Sequence, residues 1–299
     1  MAARSIIARH AVLPVHQANA LTGEAPFWDA STGTVWWIDI QGQRLLGFSP
    51  DTGCEQVHNL PSMPGLVAAR RAGSLVIGLE DGLYAFDPTD GLGDRLLAVE
   101  QDDQRTRIND GKTDPVGRLW FGTMDKTGSG AEIGSLYRLD PDGTLRAQRR
   151  NVAVPNAIAF ASDGKTFYFA DSRTRTVEAF NYDPETGELY ARREFVRYDE
   201  GEAPDGACTD AEGALWIAVV GGSRLERRLP DGTLDTVVEL PVSRPTMPML
   251  GGRDGCTLFV TSQRRFLPRE RLKAEPLAGD LVAVRVEVPG LPAAMPAII

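Results

Sequence analysis

Four short segments set oxygen-bearing side chains beside glycine or proline: GEAP with Glu24, RIND with Arg107, Asn109 and Asp110, VPN with Asn156, and APD with Asp205. Carboxylates and amides with no histidine or cysteine among them are the donor set of a hard divalent cation, and one glutamate with one aspartate balances its charge. The three histidines, His10, His16 and His58, all fall outside these segments. A buried cluster of such side chains without an ion would be costly. The competing reading is a water-filled polar channel mouth. Not every polar residue nearby needs a function. In RTRINDGKTDPVGRLWFGTM, Asp114 with Pro115 and Gly117 reads as turn chemistry, and Asp110 and Lys112 read as partners of neighbouring loop amides.

Bringing these segments together requires a repeating frame, and the sequence has one. TGTVWWIDI, AGSLVIGL, VGRLWFGT, DGKTFYFAD, EGALWIAV and DGCTLFVTS each put a turn glycine before an apolar, aromatic-rich strand. The glycines Gly33, Gly73, Gly117, Gly164, Gly213 and Gly255 are spaced by 40, 44, 47, 49 and 42 residues. Further strands follow, many ending in D-P-x-x-G or P-D-G turns, in which proline fixes φ and glycine accepts a positive one. Four-stranded units at this period predict an all-β, six-bladed β-propeller, a single domain over residues 1–299. Blade six has only three candidate strands after Met247. The segment SIIARHAVLPVHQ is therefore expected to supply its outermost strand and close the ring, a place where Pro14 is tolerable. Trp36, Trp37, Trp120 and Trp216 fall in second strands and read as blade core.

In a propeller the first strand of each blade lines the axis. Counting back eight residues from each turn glycine, or nine in blade one, gives Glu24, Gly65, Asn109, Asn156, Asp205 and Met247. Four of these six carry oxygen donors, so the frame converges the polar segments on one ring.

Composition narrows the partners. With 299 residues, 42% of them hydrophobic, the chain can bury a full core, and a formal charge of −9 leaves no basic surface for a phosphate backbone. No nucleic-acid, membrane or protein partner is expected. The N-terminus lacks an apolar secretory core, and no run approaches membrane-spanning length. Cys54, Cys208 and Cys256, odd in number and widely spaced, read as reduced, buried thiols of a cytoplasmic protein.

The segments GEAPFWD, RINDGKTDPVGRLWFGTM, PNAIAFASDGKTFYFAD and PDGACTDAEGALWIA, in that order, resemble the signature segments of the senescence-marker-protein-30, gluconolactonase and regucalcin family over nearly the whole chain. The resemblance implies one divalent metal ion, Ca²⁺, Zn²⁺, Mg²⁺, Mn²⁺ or Fe²⁺, held by Glu24, Asn156 and Asp205. It implies that Asn109 lies beside the metal and contacts substrate, that Arg107 holds substrate, and that Asp205 is the general base. Gly65 and Met247 then fill the non-ligating positions. The implied reaction is hydrolysis of a sugar-acid lactone, such as glucono-, arabinono-, xylono- or galactonolactone, to the aldonic acid.

Two connections between second and third strands are long, Met124 to Gly134 and Gln263 to Leu277, and both should return to the metal face. The first is glycine-rich; the second carries five basic residues. Asp125 and Glu132 of the first do not align securely with the family's acidic loop residue. The absence of G-x-S-x-G and G-x-G-x-x-G disfavours a serine hydrolase and a dinucleotide enzyme. The alternatives are a metal-dependent phosphotriesterase on the same scaffold and a non-catalytic calcium-binding regulator, which would leave Arg107 unexplained.

Overall fold

All six turn glycines have positive φ, between +65° and +93°, so each repeat reverses where a side chain would be strained. The computed structural model describes residues 4–70 and 73–297. It contains six sheets, each with four antiparallel strands that run in sequence order from inside to outside in five of them, while the outermost strand of the last comes from the N-terminal segment. The innermost strands are Gly23–Asp29, Leu66–Ala69, Thr106–Thr113, Pro155–Phe160, Ala203–Thr209 and Pro245–Gly251. Each lies against the next, and the sixth returns to the first, so the ring is closed. This is the six-bladed propeller expected from the repeats.

Burial falls outward along each blade. Thr34–Asp39 and Leu119–Asp125, second strands, are buried at every position, whereas the outermost Leu189–Arg197 is mostly exposed. Trp36, Trp37, Trp120 and Trp216 are at most 2% exposed, which makes them core between blades rather than platforms for ligand. Two are fixed by buried acids: Trp120 Nε1 donates to Asp114 at 3.3 Å and Trp216 Nε1 to Asp210 at 3.0 Å. Asp114 also accepts from the amides of Val116 and Arg118, so it closes the turn and anchors the blade core at once.

The N-terminal segment closes the ring and does one thing more. Leu13–His16 pairs antiparallel with Leu281–Arg285 as the outermost strand of blade six, with Pro14 opposite Val282. Before it, Ser5–Ile7 adds a parallel fifth strand to blade five, with Ile6 opposite Val237 of Leu234–Glu239. That addition satisfies an outer edge otherwise open to pairing. The sequence reading missed it because three residues carry no legible strand period.

The cysteines correct another expectation. Among the described residues all three are free, but only Cys208 is buried; Cys54 is exposed and Cys256 half-exposed. Cys54 opens the outermost strand Cys54–Asn59, where alternate side chains face solvent. No helix of the described residues is long and apolar enough to cross a membrane.

Candidate functional site

The polar segments sit at the starts of the innermost strands, where pairing is irregular. Register shifts occur between Glu24 and Phe27, Ile108 and Asp110, Asn156 and Ala159, Pro204 and Ala207, and Pro245 and Pro248. Five of six blades therefore carry a bulge at the repeat position read from the sequence. A bulge re-aims the side chain beside it, and Ala25 and Ala157, just after Glu24 and Asn156, take left-handed backbone with φ of +47° and +51°.

Asn109 and Asn156 are joined directly. Asn109 Nδ2 donates to Asn156 Oδ1 at 3.0 Å and to the Pro155 carbonyl at 2.9 Å. Asn156 Nδ2 donates to Ser172 Oγ at 2.9 Å, and Ser172 Oγ donates to the Pro204 carbonyl at 2.6 Å. The chain of bonds fixes Asn156 with its oxygen on the side of Asn109 and ties blade four to the strand carrying Asp205. Ser172 was not singled out from sequence; no repeat echo marks it.

Two carboxylates share the same ring. Glu24 is buried, and its Oε2 accepts from the Ala25 amide at 2.6 Å. Burial, followed by the negative charges of Asp205 and Asp110, raises its pKa well above the usual carboxylate range. Asp205 is half-buried, with its pKa pushed up to about 8 by burial and by Asp110, against the opposing pull of Arg244 and Arg107. Asp110 is itself buried, accepts from the amides of Gly111 and Ile158, and is raised to about 6 chiefly by burial. Sequence reading treated Asp110 as a local loop partner; it makes those bonds and also belongs to the acidic cluster.

Arg107, 6% exposed, donates through Nη1 to the Ile108 carbonyl at 2.9 Å and through Nη2 to Met124 Sδ at 3.3 Å. Its Nε is buried without a partner. Burial lowers its pKa to about 10, opposed by Glu24. The two remaining ring positions are closed by packing. A Cβ at Gly65 would lie 2.0 Å from the Ile108 carbonyl oxygen, so blade three's backbone fills that place. Met247 is buried against Gly206, where a Cβ would fall 2.4 Å from its Cγ.

The long connections do return to this face, because Thr106 pairs with Asp125 and Pro245 with Ser262. Asp125 turns into its own loop, accepting from Thr127 and Ser129 through backbone and hydroxyl groups, which lowers its pKa to about 2. Glu132 is exposed. The second connection contains an unforeseen short helix, Arg269–Ala274. Lys112 faces the opposite end of the axis, where a cavity of about 460 Å³ is lined by Phe27, Phe160, Cys208, Met249 and Leu291. None of Glu24, Asn109, Asn156 and Asp205 lines that cavity, although the Lys112 charge acts on Asp110.

A bulged ring holding two carboxylates, a fixed amide oxygen and a buried guanidinium is thus carried by six repeats, and the chain has known relatives. The family described as the SMP-30/Gluconolactonase/LRE-like region matches residues 22–264. The chain belongs to that family. It is 34% identical over 281 residues to regucalcin from Oryctolagus cuniculus, covering 92% of this chain and 94% of that protein. It is equally 34% identical, over 282 residues and with the same coverage, to a 6-deoxy-6-sulfogluconolactonase from Pseudomonas putida. Among solved structures, a regucalcin from Agrobacterium tumefaciens, described as a calcium-binding protein, superposes with a TM-score of 0.93 at 29% identity, covering 98% of this chain and 99% of that one.

Proposed function

We propose that this protein hydrolyses a sugar-acid lactone to the aldonic acid, using one divalent cation held by Glu24, Asn156 and Asp205. The observation carrying this reading is the pair of carboxylates, Glu24 raised by burial, Asp205 and Asp110, and Asp205 raised by burial and Asp110, with only a smaller opposing pull from Arg107 on both and from Arg244 on Asp205. A cation fits that deficit, and the orientation of Asn156 Oδ1 supplies a neutral third donor. Lactonase names among the relatives support the reaction class, and the calcium-binding description of the solved regucalcin supports the cation.

When bound, the cation would polarise the lactone carbonyl and offset the charge that develops on its oxygen. The protein's own groups divide the remaining work. Asp205 is half-buried whereas Glu24 is sealed in, so Asp205 is the carboxylate that water reaches and the one assigned to take its proton. Arg107, with an unpartnered Nε, is assigned to bond substrate oxygens, a role that calcium buffering alone leaves without purpose. Asn109 has its amide nitrogen engaged with Asn156, so it holds that ligand in place and offers substrate an acceptor oxygen. The three unpaired thiols fit a cytoplasmic setting.

The decisive assay compares lactone hydrolysis by chelator-treated and metal-restored protein, with activated phosphotriesters measured alongside. Activity that vanishes on chelation and returns with Ca²⁺, Mg²⁺, Mn²⁺ or Zn²⁺ supports the reading. Chelation-resistant lactonase activity, or turnover of phosphotriesters alone, overturns it. Glu24→Ala and Asn156→Ala should weaken metal binding, measured by calorimetry, by about 10- to 100-fold or more.

A further inference from the structure

Beside the acidic ring, Arg244 and Arg265 have no carboxylate ion-pair partner among the described residues; Arg244 turns Nε and Nη2 toward the side-chain oxygen of Gln263, at 3.1 and 3.2 Å. Arg244 immediately precedes the innermost strand Pro245–Gly251, and Arg265 follows the second strand of the same blade. Their backbones are pinned to the strand that carries Glu24. The Gln263 amide donates to the Arg244 carbonyl at 3.0 Å, Thr22 bridges Gln263, and the amides of Arg264 and Arg265 both donate to the Leu21 carbonyl, three residues before Glu24. The Arg244 charge reaches Asp205, and the Arg265 charge reaches Arg107.

Both guanidiniums rest on one ring. Arg265 lies 4.5 Å and Arg244 5.9 Å from the centroid of Phe266, which is 68% exposed and has a φ of +68°. A bulky residue held in left-handed backbone with its ring in solvent is strained and poorly sheltered, a combination that folding alone does not favour. What it does is gather two guanidiniums at one ring. The other basic residues of this connection are spent or directed elsewhere: Arg264 donates to Asn19, Arg271 pairs with Glu275, and Lys273 pairs with Glu270. Arg269 lies exposed on the short helix.

Charge balance gives the pair its meaning. Arg107 already stands beside Glu24, Lys112 acts on Asp110, and a divalent cation held there would add two more positive charges to those facing Glu24, Asp110 and Asp205. Arg244 and Arg265 are then surplus positive charge beside the reacting centre. A neutral lactone has no group that uses it. Guanidiniums suit planar or tetrahedral oxyanions, which they bond through paired N–H groups.

We propose that Arg244 and Arg265, braced on Phe266, form a subsite for an oxyanion on the substrate, so that the preferred lactone carries a phosphate, sulfonate or carboxylate on the carbon remote from its ring carbonyl. The proposal rests on the lactonase reading above and specifies its substrate class. The subsite acts on binding, so it appears in KM more than in kcat, and it weakens with ionic strength because both arginines are partly open to solvent.

The test measures initial rates of metal-loaded protein on gluconolactone and on the same lactone phosphorylated, sulfonated or oxidised to a carboxylate at its terminal carbon. Wild type should favour at least one anionic lactone by about 10-fold or more in kcat/KM at low salt. Arg244→Gln and Arg265→Gln should each cut the anionic-to-neutral ratio by about 10- to 100-fold, through KM, whereas Arg265→Lys should retain part of it. The three arms distinguish which oxyanion is preferred. Equal ratios in wild type and variants, or a preference for the neutral lactone, overturn the subsite while leaving the lactonase reading intact. Hydrolysis of none of them sinks the lactonase reading. The subsite is then judged by calorimetry with gluconate and its terminal phosphate: tighter binding of the phosphate, lost in Arg265→Gln, supports it, and equal binding removes it.

Discussion

Asp205 has two assignments, ligand and base, and substitution can part them. Asp205→Asn keeps an oxygen for the cation but cannot accept a proton, and removing a general base costs about 10²- to 10⁴-fold in rate. At saturating metal and substrate near neutral pH, after subtraction of spontaneous hydrolysis, the variant is expected to turn over lactone slower by that factor. Wild-type turnover would reduce Asp205 to a ligand. That Glu24, Asn156 and Asp205 stand together was legible because they fall at one offset from a turn glycine, and six repeats place one offset on one ring. Asp110 was not legible for the same reason in reverse. Simple alternation sends it to the face opposite Asn109, but the register shift between Ile108 and Asp110 breaks alternation there and admits it to the acidic cluster. Arg244 and Arg265 were hidden too: one sits in a blade to which no metal ligand is assigned, and the other is one of five basic residues that only the loop's folding sorts.

The N-terminal strands show how an element divides its work. Leu13–His16 completes blade six, whereas Ser5–Ile7 only extends blade five, which already has four strands. Their removal should differ in consequence. Deleting residues 1–8 strips an exposed three-residue strand whose burial is slight, and thermal denaturation should move by no more than a few degrees. Deleting residues 1–16 also uncovers the edge of Leu281–Arg285 and opens the ring, and should lower the midpoint by about 10 °C or more or yield aggregating protein. Equal midpoints for the two truncations would show that the ring does not depend on its closing strand. The closing strand was readable because blade six was one strand short. The parallel addition and the helix Arg269–Ala274 were not, since neither is long enough to show a period.

Across the whole molecule the acidic ring sets protons and the proposed cation in competition and ties both to stability. Asp110 is raised to about 6 and Asp205 to about 8 from ordinary values of 3.8, and Glu24 is raised well above 4.5, all chiefly by burial. Unfolding returns these groups to water and to their ordinary values. Between about pH 4 and pH 8 these three groups in the folded, metal-free protein therefore hold protons that the unfolded chain has released, and their contribution to stability falls as pH rises through that window. Below pH 4 both states are protonated at these sites and the penalty is absent. Above pH 8 the Asp110 and Asp205 contributions are fully developed and level off. The proposed divalent cation would replace the protons, so its affinity should climb over the same window, and saturating metal should flatten the decline. Other groups titrate as well, among them Asp103, Asp125 and Asp254, all lowered, whose contributions are lost on the acid side. The comparison that isolates the ring is wild type against the triple variant Glu24→Gln, Asp110→Asn, Asp205→Asn, each melted without metal from pH 5 to pH 8. Wild type should lose stability relative to the variant steadily as pH rises, and adding metal should restore wild type alone. Parallel curves in the absence of metal would mean that the three carboxyl groups fold as readily ionised as protonated, and the cation would then have no buried charge to relieve.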